Sequence, residues 1–163
     1  MNILPDVDGT HRLTAVRAAV ALALALVACR ALADGAAARL VQATLPGTSK
    51  VVVVAEGELE PRSTGSYSIR VYGGSNPRHP HDDFLAGAVE RRYGALERIV
   101  FADVDGDRAP EIVVVMRSAG SGSYVSADAF RLRGRSLTRV RSVQGLAKNA
   151  DPLRALQEST VKR

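Results

Sequence analysis

Phe101 to Tyr124 reads FADVDGDRAPEIVVVMRSAGSGSY: an acidic turn, an apolar strand, and then a loop of small residues that ends on one tyrosine. The β-branched run inside Glu111–Arg117 is stiff at χ1 and suits a pleated surface better than a helix. Two residues are enough to turn a hairpin. This chain instead places Ser118, Ala119, Gly120, Ser121, Gly122 and Ser123 before Tyr124. Flexible small residues presenting a single aromatic hydroxyl suit a loop that enters another molecule's groove. That pattern belongs to a binding protein more than to an enzyme.

The rest of the chain is strand-rich. Lys50–Glu58 contains Val51-Val52-Val53-Val54, a run suited to a buried strand. Gly65–Tyr72 alternates, with Tyr67, Ile69 and Val71 on one face and Ser66, Ser68, Arg70 and Tyr72 on the other. Gly73–Pro80 is a loop by composition. Asp82–Arg91 leans to strand, Leu96–Ala102 and Glu111–Arg117 flank the acidic turn, and Tyr124–Arg133 with Ser136–Val143 form a hairpin about Gly134. Asp151 is placed to cap a short final helix with Pro152 at its first position. Short strands with regular turn signals predict an all-β fold: a single antiparallel sandwich or barrel-like domain with at most a short C-terminal helix.

At the amino terminus, Arg12 and Arg17 precede an unbroken apolar run from Ala18 to Ala28. That is the length of a signal-peptide core and too short to span a bilayer. Ala31-Leu32-Ala33 offers a small-x-small cleavage site, making residues 1–33 the leader and 34–163 the domain. Leu26-Val27-Ala28-Cys29 also fits a lipobox, with a leader of residues 1–28 and a lipidated Cys29. Both readings export the domain across a bacterial inner membrane, to a periplasmic place that is soluble in one case and lipid-anchored in the other. Cys29 is the sole cysteine, so residues 34–163 have no disulfide and depend on buried Val, Ile and Leu. Those residues carry 19 basic and 15 acidic side chains, a mild excess that selects no particular partner.

Few constellations here could carry chemistry. Asp103, Asp105 and Asp107 occupy positions one, three and five of an EF-hand-like loop, but Arg108 stands where the turn glycine belongs and Val114 where the closing carboxylate belongs. A solvated turn whose aspartates bond their own backbone is the simpler expectation, with a calcium-dependent envelope binding module as the alternative function. His79, His81, Asp82 and Asp83 lie within five residues, yet no distant histidine or cysteine in the domain completes a zinc site. The segment Gly120–Ser123 lacks the G-x-S-x-G spacing of a nucleophile elbow, so neither histidine has a nucleophile to activate. Arg131 and Arg133, paired across the hairpin with Arg139 and Arg141, predict a basic stripe that serves as a solvated outer face. Interleaved exposed aromatics are missing from it, which argues against nucleic acid.

Across Val51–Leu156 the chain resembles the periplasmic inhibitors of invertebrate-type (i-type) lysozyme. The residues carrying the resemblance are GELEPRSTGSYSIRVY (Gly57–Tyr72), DDFLAG (Asp82–Gly87), Phe101–Tyr124 and SADAFRL (Ser126–Leu132). Its most specific element is Ser121-Gly122-Ser123-Tyr124, an S-G-x-Y loop. The resemblance implies an eight-stranded antiparallel fold, often a homodimer, with no cofactor and no enzymatic activity. It also implies that Ser121 and Tyr124 enter the cleft of a host lysozyme. Gly65-Ser66-Tyr67 repeats the G-S-Y triplet at another strand start, but the later copy has the longer, glycine-richer approach.

Overall fold

The computed structural model describes residues 39–159. The leader, its Ala31-Leu32-Ala33 site and Cys29 lie outside the described residues. Eight strands and one helix follow in order: β1 (Leu40–Thr44), β2 (Val51–Glu56), β3 (Thr64–Tyr72), β4 (Phe84–Tyr93), β5 (Ala95–Ala102), β6 (Glu111–Arg117), β7 (Val125–Arg133), β8 (Ser136–Leu146) and α1 (Pro152–Glu158). They form two four-stranded sheets, β1-β2-β3-β4 and β5-β6-β7-β8, antiparallel throughout. The all-β sandwich with a short terminal helix is therefore as expected. Asp151 caps that helix, accepting from the Leu153 amide at 2.9 Å, with Pro152 opening it. Among the described residues no helix is long and apolar enough to cross a membrane.

The strand that sequence analysis passes over is β1. It is an edge strand whose residues alternate between exposed and half-buried, so its apolar signal is weak.

Burial explains the patterning. β3 alternates because only one of its faces meets the core, where Tyr67, Ile69 and Val71 are all fully buried. β6 and β7 do not alternate, because both faces of their sheet are covered. Ile112, Val114, Met116 and Phe130 face the first sheet in the main core. Val113, Val115, Val125, Ala127 and Ala129 lie on the opposite face with Val104 and with Leu156 of α1. Each fully buried Val, Ile, Leu, Met or Phe among them contributes about 1.5–3 kcal/mol by leaving water. The short helix, together with Val104, thus covers the second face of this sheet.

One polar bond crosses the core. The Tyr67 hydroxyl of the first sheet donates to Asp128 Oδ2 of the second at 2.7 Å, and both residues are buried. Burial, reinforced by the Asp128 carboxylate, raises the phenol's pKa, so the tyrosine stays neutral and remains a donor. Its ring meets Phe130 edge-on, 6.4 Å between centroids.

A second polar centre organises one end of the sandwich. Arg92, near the end of β4, is fully buried. It donates to the carbonyls of Pro61 at 2.8 Å, Arg62 at 2.9 Å and Ser66 at 3.2 Å, and also to that of Gly94. Glu56 lies 3.8 Å away and Glu60 4.0 Å away. Glu56 in turn accepts from the Leu96 amide at 2.7 Å, joining β2 to the start of β5. Glu60 accepts from the amide and hydroxyl of Ser66. Gly57 and Gly65 leave room for this, since a Cβ at either would fall within 2.5 Å of the Glu60 carboxylate. Bonds from Ser66 hold the Glu60 carboxyl below its ordinary pKa, with Arg92 and Arg39 adding to the effect.

The predicted arginine stripe does not form. A register shift between Ala129 and Phe130 sets Arg139 opposite Phe130 and Arg141 opposite Ala129, so the two arginines face opposite sides of the sheet. Arg139 reaches Glu90 of β4 at 2.8 Å. Arg141 donates to the carbonyls of Leu156 and Gln157 at 3.0 and 3.2 Å and to that of Ser159, so it caps the C-terminus of α1. Arg131 and Arg133 pair with Thr138 and Ser136 instead of with arginines.

Two outcomes are expected. Tyr67→Phe strips the buried Asp128 carboxylate of its donor and is expected to cost about 2 kcal/mol in equilibrium urea unfolding. Glu60, with its folded-state pKa lowered, adds stability that is complete above the ordinary carboxylate range and is lost as pH falls through the lowered value. Melting temperatures from pH 7 to 3 are therefore expected to fall less steeply for Glu60→Gln than for the wild type.

Candidate partner-binding site

The loop after β6 stands at the end of the sandwich that Arg92 organises. Gly94, between β4 and β5, donates its amide to Ser63 O at 2.9 Å. It also packs so closely on the Arg117 carbonyl that a Cβ there would lie 2.3 Å from the oxygen. Arg117 is the last residue of β6, and the loop 118–124 follows it.

Hydrogen bonds close that loop on itself. Gly120 N donates to Ser118 Oγ at 3.2 Å, Ser123 N to Gly120 O at 3.0 Å, and Ser118 N to Tyr124 O at 2.8 Å. Ser123 sits at φ +45°, in the left-handed region. Its carbonyl accepts from Arg117 Nη1 at 3.2 Å, and the same nitrogen reaches Lys148 O at 3.2 Å. Glu97 on β5 holds the guanidinium from the other side, 2.6 Å from Nε. Arg117 and Glu97, unmarked in the sequence, thus fix the base of the loop.

The four residues singled out from the sequence fall together at its tip. Ser121 is exposed and Gly122 and Ser123 are half-buried. Tyr124 is 54% exposed, so it does not pack inward as a strand residue would. Its ring lies over Gly122, where a Cβ would come within 2.4 Å of a ring carbon. The other G-S-Y copy behaves oppositely, since Tyr67 is fully buried. Ser63, Tyr93, Gly94, Ser126 and Gln144 line a shallow depression beside Tyr124. Two exposed hydroxyl-bearing residues therefore stand on a braced loop beside a polar, uncharged depression.

The remaining sequence candidates lie elsewhere. The acidic turn connects β5 to β6 at the opposite end. Asp103 accepts from the amides of Gly106 at 2.7 Å and Arg108 at 2.9 Å, Asp105 from Asp107 at 3.3 Å, and Asp107 from Ala109 at 2.9 Å. Arg108 takes φ +69° at the position where a calcium loop has its glycine, and Gly106 of the same turn takes φ +86°. Ligand atoms of Asp103, Asp105 and Glu111 lie within 4.8 Å of one another. Arg131 enters that cluster, 3.0 Å from Glu111 and 3.5 Å from Asp107, with Asp105 also in contact. A guanidinium supplies the positive charge that a calcium ion would bring. Burial, ahead of the neighbouring aspartates, raises the pKa of Glu111. Among the described residues, His79 and His81 are not gathered with acidic residues as a metal-binding group. His81 instead bonds Gln42 at 3.1 Å and packs edge-on against Tyr72.

Comparison with known proteins bears on this geometry. Residues 37–160 match the family profile described as PliI, periplasmic lysozyme inhibitor of I-type lysozyme. Among solved structures, the chain is 48% identical to PliI-Ah, the periplasmic lysozyme inhibitor of I-type lysozyme from Aeromonas hydrophila, with a TM-score of 0.65 over 72% of this chain and 98% of that one. It is likewise 48% identical to the Aeromonas hydrophila PliI crystallised in complex with Meretrix lusoria lysozyme, with a TM-score of 0.67 over 74% of this chain and 96% of that one. No curated protein sequence matched.

Proposed function

Because the chain belongs to the family of periplasmic inhibitors of I-type lysozyme, we propose that it inhibits an i-type lysozyme by lodging the Ser121–Tyr124 loop in the substrate cleft. The observation that carries this reading is Tyr124: an aromatic side chain more than half exposed on a loop braced by hydrogen bonds and by Arg117. An apolar ring left in water contributes little to folding, whereas the same ring contributes strongly when a partner buries it. Bracing also lowers the entropy lost on association.

The chemistry matches the target. A glycosidase cleft holds one carboxylic acid and one carboxylate on either side of the scissile bond. Hydroxyls donate and accept, so Ser121 and Tyr124 suit both protonation states. Gly120 and Gly122 let the backbone approach closely. Occlusion needs no bond to be made or broken, and the family is one of inhibitors, not enzymes. The family's periplasmic description accords with an exported domain. A calcium-binding role for the acidic turn is less favoured, since Arg131 already neutralises it.

The reading is tested by lysis of cell walls with an i-type lysozyme as the purified domain is titrated in, with chicken-type and goose-type enzymes alongside. Stoichiometric inhibition of the i-type enzyme is expected. Ser121→Ala/Tyr124→Ala should weaken it by about 100-fold while leaving the melting temperature unchanged. Inhibition that survives the double substitution would move the site, and no inhibition by the wild type would end the proposal. Gly122→Ala is a finer probe. Its methyl displaces the Tyr124 ring, and because that ring is exposed the fold tolerates the change, so inhibition is expected to weaken about tenfold at constant stability.

A further inference from the structure

Leu59, in the loop joining β2 to β3, is fully exposed at 102% of its reference area. Its φ is +63°, a left-handed conformation that glycine and asparagine enter readily and a bulky leucine does not. The residue therefore adds nothing to the core and strains its own backbone. Either glycine or asparagine would serve the turn better. An exposed apolar side chain held in an unfavourable conformation is understandable where it has a use outside the fold.

The loop that carries it is held firmly. Immediately after Leu59, the Glu60 carboxylate is bonded to Ser66, and the Glu60 carbonyl accepts from Arg39 Nη2 at 2.8 Å. Pro61 and Arg62 are gripped by Arg92. The loop is also adjacent to the Tyr124 loop, because its last residue, Ser63, bonds Gly94, which packs on Arg117. Of the three non-glycine residues with positive φ among the described residues, Leu59 and Ser123 lie on these two loops.

We propose that Leu59 is a second anchor for the same partner: an apolar knob that seats on the lysozyme surface beside the cleft while the Ser121–Tyr124 loop enters it. The proposal rests on the inhibitor reading above. Glu58 and Arg62 stand exposed on the same loop, so the apolar side chain is the feature the partner surface has to match. Anchors of this kind work by desolvation at a preorganised position, which is what Arg92 and Glu60 provide.

The test measures the Kd of wild type, Leu59→Asn, Leu59→Met and Tyr124→Ala for an i-type lysozyme by titration calorimetry, with melting temperatures for each. Asparagine accepts left-handed φ, so Leu59→Asn is expected to melt no lower than the wild type yet to bind about tenfold more weakly. Methionine keeps the apolar reach and is expected to bind within about threefold of the wild type. Wild-type affinity in Leu59→Asn, with Tyr124→Ala weakened, would overturn the second anchor and leave the inhibitor reading standing. A drop in melting temperature with equal loss of binding in both Leu59 variants would also overturn it, making the residue structural. A wild type that binds no lysozyme would remove both proposals together.

Discussion

The buried guanidinium of Arg92 is the constraint around which the working end of this protein is arranged. A charge with no access to water has to be matched on every side, and here four carbonyls and two carboxylates do so. Such centres are weak devices for raising stability, because desolvation offsets most of the attraction. What they supply is geometry. The acceptors come from the β2–β3 loop, from the start of β3 and from the β4–β5 turn, so placing one side chain orders two connections. Glu56 extends the effect across the sheets through the Leu96 amide. A loop that carries its own hydrogen-bonded acceptors cannot drift without leaving a buried charge exposed to hydrocarbon.

The two ends of the sandwich use arginine differently. Around Arg92 and Arg117 the guanidinium groups donate to backbone oxygens as well as to carboxylates, which ties loops to the sheets. At the far end Arg131 neutralises carboxylates, and Asp103 and Asp107 bond back onto their own turn. The first arrangement makes a rigid presenting surface. The second closes a turn on itself and leaves few unsatisfied groups for a ligand.

Much of this was legible in the sequence and some was not, for physical reasons. Runs such as Ile112–Met116 identify strands because only a strand covered by other elements tolerates them, and the Asp151-Pro152 pair marks the helix start by its chemistry. β1 escapes because an edge strand needs few apolar residues. The arginine stripe fails because alternation assumes an unbroken ladder, and the shift at Ala129–Phe130 sends Arg139 and Arg141 to opposite faces. Arg92 is invisible for a deeper reason: a lone arginine near a strand end looks solvated until its carbonyl partners, up to 31 residues away in the chain, are assembled around it. The S-G-x-Y loop is legible because its residue types and their order lie in one short stretch of chain. The groups that hold it, Arg117, Glu97 and Gly94, act through contacts distant in sequence and give no local sign.

Rigidity changes how the loop's composition should be understood. Small residues suggest mobility, yet here their smallness permits close packing: Gly122 lies under the Tyr124 ring, and Gly94 against the Arg117 carbonyl. A mobile key would lose much of its binding free energy to ordering on entry, whereas one already bonded into shape keeps it. Leu59 likewise stands on a loop held by hydrogen bonds: Glu60 accepts from Ser66 and Arg39, and Pro61 and Arg62 accept from Arg92. In both places an exposed side chain stands on a loop tied to the sheets. An inhibitor requires that combination, since it performs no chemistry and its action depends on being complementary to its target before the two meet.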